Sequence, residues 1–191
     1  IANLYSSEEQ YENSNLFLNI ANFLNPKFRF NTSLIVENNF SNENYKKTKV
    51  LLNRFNKKDE IYYWYKIKKI TQIISQESNQ EEAINYINSK FSKIENPSTK
   101  ILFDMGNIAK GFKKYKSSIN YYDSVISRIE KNSITYADLL YRRGGSYERL
   151  GKYEESDKDL LKSLEINQDD AYVLNYLAYS WLERDYKIDT A

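Results

Sequence analysis

The chain of 191 residues carries 28 Lys and Arg against 26 Asp and Glu, a formal net charge of +2, so no global field draws it to nucleic acid or membrane. Hydrophobic residues at 41% supply a core and exclude wholesale disorder, and with only 5 Gly and 2 Pro the composition favours long helices over many short strands. With 0 Cys and 0 His, disulfide frameworks, zinc sites of the usual ligand type, thiol nucleophiles and His-based triads are excluded.

Apolar spacing along the chain predicts helices of two alternating kinds. A helix over about 8–25 comes first, followed by one over about 28–41 and one over about 43–56. The next pair covers about 60–77 and 80–95, and a third about 98–113 and 115–131. Helices over about 134–150, 153–166 and 171–184 complete the series, with Pro26 and Pro97 near the ends of second helices, where the chain must reverse. No run approaches the roughly 18–20 consecutive apolar residues that cross a bilayer. The chain opens at Ile1 as if in the middle of a helix and stops in an incipient one at Asp189–Ala191, which predicts a fragment of a longer protein. Heavy use of Lys, Asn, Ile, Tyr and Phe reads as the codon bias of an AT-rich bacterial genome.

These helices repeat with a near-constant stride. Steps of 34, 35, 35, 38 and 34 residues connect Ala2, Val36, Thr71, Gly106, Gly144 and Ala178 in the first helices. In the second helices Tyr11, Tyr45, Tyr115 and Tyr153 follow the turn, with Gln80 in one defective copy. Three residues beyond come Ser14, Thr48, Ala83, Ser118, Ser156 and Ala191, all small, and four further on Leu18, Leu52, Ile87, Tyr122 and Leu160, all large. A small side chain lets two helix axes approach, and a bulky one a turn later fills the groove beside it. Neither helix buries its apolar stripe alone, so successive pairs are expected to stack.

A unit of about 34 residues with this pattern resembles the tetratricopeptide repeat. Gly144, Tyr147, Gly151, Tyr153 and Ser156 match its motif between 137 and 170, and Leu174, Leu177, Ala178 and Trp181 match from 171 on. Arg143 stands where the motif is apolar, Lys90 and Ser163 replace small apolar residues, and Val36 is bulky. The resemblance implies an all-α, right-handed solenoid of stacked antiparallel pairs. It divides the chain into six units: 1–27 (partial), 28–62, 63–97, 98–134, 135–170 and 171–191 (partial). The stretch from Asp170 to Trp181 is also similar to terminal repeats of exported bacterial members, some of them outer-membrane lipoproteins, which points to the periplasm or outer membrane, with the cytoplasm as the alternative.

The carboxylate pairs Glu8–Glu9, Glu81–Glu82 and Glu154–Glu155 read as first-turn residues favoured by the helix dipole, not as acid–base machinery. No catalytic residue, metal site or cofactor is expected. Residues 45–69 hold nine basic side chains (Lys46, Lys47, Lys49, Arg54, Lys57, Lys58, Lys66, Lys68 and Lys69) interleaved with Tyr62, Tyr63, Trp64 and Tyr65. Basic plus aromatic is a footprint of single-stranded nucleic-acid binding, but helix stacking accounts for the aromatics and the far end is acidic, so a solvated face is favoured over an acidic protein partner and over nucleic acid. The resemblance implies a concave groove lined by first helices. Its candidate residues are Lys68 and Gln72, then Phe103, Asn107 and Lys110, then Tyr141, Arg142, Gly145 and Glu148, then Asn175, Tyr179 and Leu182. Lys68 and Arg142 fit a clamp for a C-terminal carboxylate, but Gln72, Asp104 and Asp138 stand where amide or positive groups are wanted, so chaperone-tail binding is not expected. The expected function is a non-catalytic scaffold for a peptide or protein partner; the alternative is a docking or regulatory region of a larger enzyme or of an export or assembly complex.

Overall fold

A computed structural model describes residues 1–186, and every regular element in it is a helix. In order these are α1 (Ala2–Ser7), α2 (Tyr11–Leu24), α3 (Arg29–Ser41), α4 (Tyr45–Leu52), α5 (Glu60–Glu77) and α6 (Gln80–Phe91). There follow α7 (Thr99–Gly111), α8 (Tyr115–Ile126), α9 (Ile134–Glu148), α10 (Tyr153–Ile166) and α11 (Ala171–Glu183). They form two compact units, Ile1–Lys93 and a second from Ile94 onward. In each, antiparallel helix pairs stack as the repeat spacing predicts. The sixth second helix, with Ile188 and Ala191, lies outside the described residues.

Most first helices start on a side-chain cap, α1 and α3 excepted, whereas among the second helices only α4 and α6 do. Asp59, Ser98, Ser133 and Asp170 cap α5, α7, α9 and α11, each side-chain oxygen accepting a backbone N–H of the first turn. Between the helices of a pair the chain turns through one left-handed residue: Glu9, Glu43, Lys113, Gly151 and, after α11, Asp185. The next residue donates its N–H back into the helix just ended, Lys114 to the Ala109 carbonyl at 2.8 Å and Lys152 to Tyr147 at 3.0 Å. Glu8 and Glu9 therefore sit in the α1–α2 turn and not in the first turn of α2, which corrects their dipole assignment; Glu81–Glu82 and Glu154–Glu155 do occupy first turns. The defective copy uses another device. Asn79 accepts from the Glu82 N–H at 2.8 Å and its amide donates to the Glu82 side chain, so α6 starts at once after the 18-residue α5.

The small residues of the second helices lie at the pair interfaces. Ser14, Thr48, Ala83, Ser118 and Ser156 are fully buried, and so are Leu52, Ile87, Tyr122 and Leu160 one turn on. Opposite them, a Cβ on Gly144 would lie 3.3 Å from the Ser156 carbonyl oxygen and 3.2 Å from Leu160 Cγ, so α9 and α10 approach closely there. In the first unit Leu18, Ile35, Val36, Leu51, Leu52, Phe55 and Ile73 form one core. In the second, Leu160, Val173, Leu177 and Trp181 join α10 to α11.

Three second helices, α4, α6 and α8, stop four or five residues earlier than spacing suggests, whereas α10 ends at Ile166 as expected. The helix expected to reach about 56 ends at Leu52, because Phe55 turns inward, fully buried, and stacks on Tyr62 with centroids 5.0 Å apart. α8 ends at Ile126, and Arg128 beyond it donates to the Pro97 carbonyl at 2.9 Å, fastening the loop to the start of its own pair.

Candidate interaction surface

The first helices of each unit are cross-linked by side chains at matching repeat positions. In unit 1 the Lys69 ammonium of α5 lies 2.7 Å from Glu37 Oε2 and 4.2 Å from the centroid of Phe40, both on α3. The Tyr65 hydroxyl donates to the other Glu37 oxygen at 2.6 Å. Burial and that carboxylate push the phenol's pKa up strongly, so Tyr65 is a proton donor at any ordinary pH. Lys69 is buried, which corrects its assignment to a solvated basic face. Within the same run Trp64 is buried, and Tyr62 and Tyr65 pack against Phe55.

In unit 2 Arg142 occupies the repeat position of Lys69. Its Nε donates to Asp138 at 2.9 Å and its Nη1 to Asn107 Oδ1 at 3.2 Å, while the guanidinium lies 5.1 Å from the Phe103 centroid. Asn107 Oδ1 also accepts from the Tyr122 hydroxyl at 2.8 Å, tying this face to the core of its pair. Lys110 reaches from α7 to the Arg142 carbonyl at 3.2 Å. Its ammonium lies over buried Gly145, where a Cβ would sit 2.8 Å from Nζ. Burial lowers the Lys110 pKa below the ordinary 10.5, and the Arg142 and Arg149 charges lower it further. One repeat on, Tyr176 of α11 makes the corresponding link: its hydroxyl donates to Glu148 Oε2 at 2.9 Å and its ring meets Tyr141 edge-on at 5.8 Å.

Of the sequence-predicted groove residues, Phe103, Asn107, Lys110, Arg142, Tyr141 and Glu148 are thus drawn into connected contacts on α7, α9 and α11. Lys68, half-buried, and Gln72, exposed, stand on α5 in unit 1. Tyr179 is exposed and donates to Glu183 at 2.7 Å. Asn175 lines an open cavity of about 550 Å³ beside α10 and α11, whose other walls are Leu161, Leu164, Leu174, Leu177, Ala178 and Trp181. Sequence reasoning passed over Tyr176, Asp138 as an ion-pair partner, and Lys69 with Glu37. The stride contains the missing signal, since Lys69, Arg142 and Tyr176 share one repeat position and each reaches back to the preceding first helix.

Arg143, where the repeat motif is apolar, points between α9 and α10. Its Nε and Nη2 hold both oxygens of buried Asp159 at 2.7 Å, and Nη1 reaches Asp123 at 2.6 Å. Among the described residues no helix is long and apolar enough to cross a membrane, and no three carboxylates gather as a cation site.

The paired helices, the small-residue crossings and the laterally linked first helices define a helical-repeat scaffold. Residues 137–170 match the family model of the tetratricopeptide repeat, and the fold is that of tetratricopeptide repeat proteins. No curated protein sequence matches the chain. Among solved structures it is similar to YrrB, described as a tetratricopeptide repeat protein with an unusual peptide-binding site, at 18% identity and a TM-score of 0.55, over 92% of this chain and 87% of that one. BtubC from P. vanneervenii superposes with a TM-score of 0.65 at 12% identity, over 92% of this chain and 82% of that one. The C-terminal part of a tetratricopeptide repeat protein from Cytophaga hutchinsonii gives 0.59 at 14%, over 96% and 70%.

Proposed function

We propose that the chain is a non-catalytic scaffold that binds a peptide or an extended protein segment across the first helices α7, α9 and α11. The observation that carries this reading is the connected polar and aromatic surface running through Phe103, Asn107, Lys110, Arg142, Tyr141, Tyr176 and Glu148. Its side chains are already held by one another, so binding does not bear the roughly 0.5–1.5 kcal/mol that each freely rotating contact side chain adds when immobilised. Aromatic edges beside amide and charged groups suit a backbone laid along the surface, with pockets for alternate side chains. The fold shared with YrrB supports the same reading.

Selection of short random peptides against the protein tests it. Peptides that bind should lose about tenfold in affinity to Tyr141→Ala while far-UV circular dichroism is unchanged. Failure to select any peptide, or equal binding by Tyr141→Ala, contradicts the assignment of the surface.

A further inference from the structure

The first-helix linkages of the two units differ in charge balance: where unit 1 sets Lys69 against Glu37 and the ring of Phe40, unit 2 sets Arg142 against Asn107 and has a second cation, Lys110, at the repeat position of Phe40. Lys69 in unit 1 meets the Glu37 carboxylate at 2.7 Å and is neutralised by it. Lys110 in unit 2 has no such counter-ion: its hydrogen bond goes to the Arg142 carbonyl, and among the described residues it forms no ion pair. The nearest carboxylates are engaged elsewhere. Asp138 is held by Arg142 Nε, and Glu148 Oε2 accepts from Tyr176 and lies 3.5 Å from Arg149 Nε. The Asn107 oxygen is also taken, by Tyr122 and by Arg142 Nη1. Arg142 Nη2 is left unused by these bonds. Gly145 keeps the floor beside the ammonium clear of a side chain.

The chain therefore holds two adjacent cations in a half-buried place, with unused donors on both and one net positive charge among Lys110, Arg142, Arg149, Asp138 and Glu148. A second cation beside a desolvated lysine is unfavourable unless an anion joins them. We propose that Lys110 Nζ and Arg142 Nη2 together bind one side-chain carboxylate of an acidic peptide lying across α7 and α9. This rests on the reading of the first-helix face as the binding surface and adds its charge specificity. A single net charge matches a carboxylate better than a doubly charged phosphate. The surface continues on both sides of the pair, to Phe103 on α7 and to Tyr176 on α11, so a mid-chain Asp or Glu fits without the peptide ending there.

The test uses the protein with a library of short peptides, acetylated and amidated so that no terminal carboxylate is present. Selected peptides should carry Asp or Glu at one fixed position, and changing that residue to Asn or Gln should weaken binding about tenfold, the scale of one charge-assisted hydrogen-bonded pair. Against Lys110→Met, which leaves only the Arg142 donor, the same peptide change should weaken binding markedly less than it does for the parent, and selection against Lys110→Glu should return Lys or Arg at that position. Unchanged circular dichroism shows that each variant is folded. If peptides are selected with no acidic preference, or if the acidic change weakens binding to Lys110→Met as much as to the parent, the carboxylate site is wrong while the peptide-binding surface stands. If only peptides with a free C-terminus bind, or a phosphoserine replacement binds more tightly than Glu, the ligand group has been misassigned. If no peptide is selected at all, the underlying reading fails.

Discussion

Gly106 of α7 lies directly under the ring of Tyr122 from α8: a Cβ on the glycine would come within 2.5 Å of Tyr122 Cε1. The ring has no room to retreat, because Tyr122 is fully buried and its hydroxyl is bonded to Asn107. Gly106→Ala is expected to destabilise by about 1–3 kcal/mol through overpacking, although alanine favours a helix interior over glycine by about 1 kcal/mol. Gly111, at the end of the same helix, faces open space. Gly111→Ala is expected to stabilise by about 0.4–1 kcal/mol by restricting the unfolded chain. Urea denaturation of the two variants should show shifts of opposite sign.

Arg143 and Asp159 form a pair whose removal one partner at a time is costly. The Asp159 side chain is 7% exposed and that of Arg143 18%. Burial raises the Asp159 pKa against the opposing pull of Arg143, so the carboxylate depends on that guanidinium for its charge. Arg143→Leu should destabilise by about 3 kcal/mol by stranding a buried carboxylate, while the double variant with Asp159→Leu should return to within about 1 kcal/mol of the parent. A double-mutant cycle by chemical denaturation checks this, and additive losses would count against it.

Lys110 predicts a pH dependence of known sign. Its folded-state pKa lies below 10.5, so the unfolded chain binds the proton more readily between the two values. The charged side chain thus subtracts from stability below its folded pKa, and stability recovers as pH rises from there toward 10.5. Lys110→Met should be more stable than the parent near neutral pH, with the difference shrinking as pH approaches 10.5. A difference that stays constant with pH would show that the ammonium is not desolvated by the fold.

How far the sequence reveals this molecule depends on what each residue answers to. Ser14, Thr48, Ala83, Ser118 and Ser156 answer to local geometry repeated at each hairpin, so stride alone places all five at buried crossings. The starts of α5 and α9 fall where apolar spacing put them, at 60 and 134, and the structure adds the caps Asp59 and Ser133 that fix them. Helix ends were less legible, since the burial of Phe55 that cuts α4 short is a tertiary event with no local mark. The candidate surface was half legible. The family resemblance pointed to Phe103, Asn107, Lys110 and Arg142 as groove residues, but what a cation of the first helices meets depends on the residue one repeat earlier, Glu37 for Lys69 and Asn107 for Arg142. Reading charge as a linear run, 45–69, hid that cross-repeat pairing and left Lys69 among solvated groups.

The account rests on small side chains permitting the close crossing of paired helices, and substitution at Ser156 tests that most directly. Ser156 is fully buried against α9, and among the described residues its Oγ has no hydrogen-bond partner. Ser156→Ala should therefore be neutral or stabilising by up to about 1 kcal/mol, whereas Ser156→Leu should lose about 2–3 kcal/mol by forcing α9 and α10 apart. Urea midpoints measured on the two variants decide the matter: alanine at or above the parent with leucine well below it is the predicted order, and a leucine variant as stable as the parent would contradict the packing on which the repeat is built.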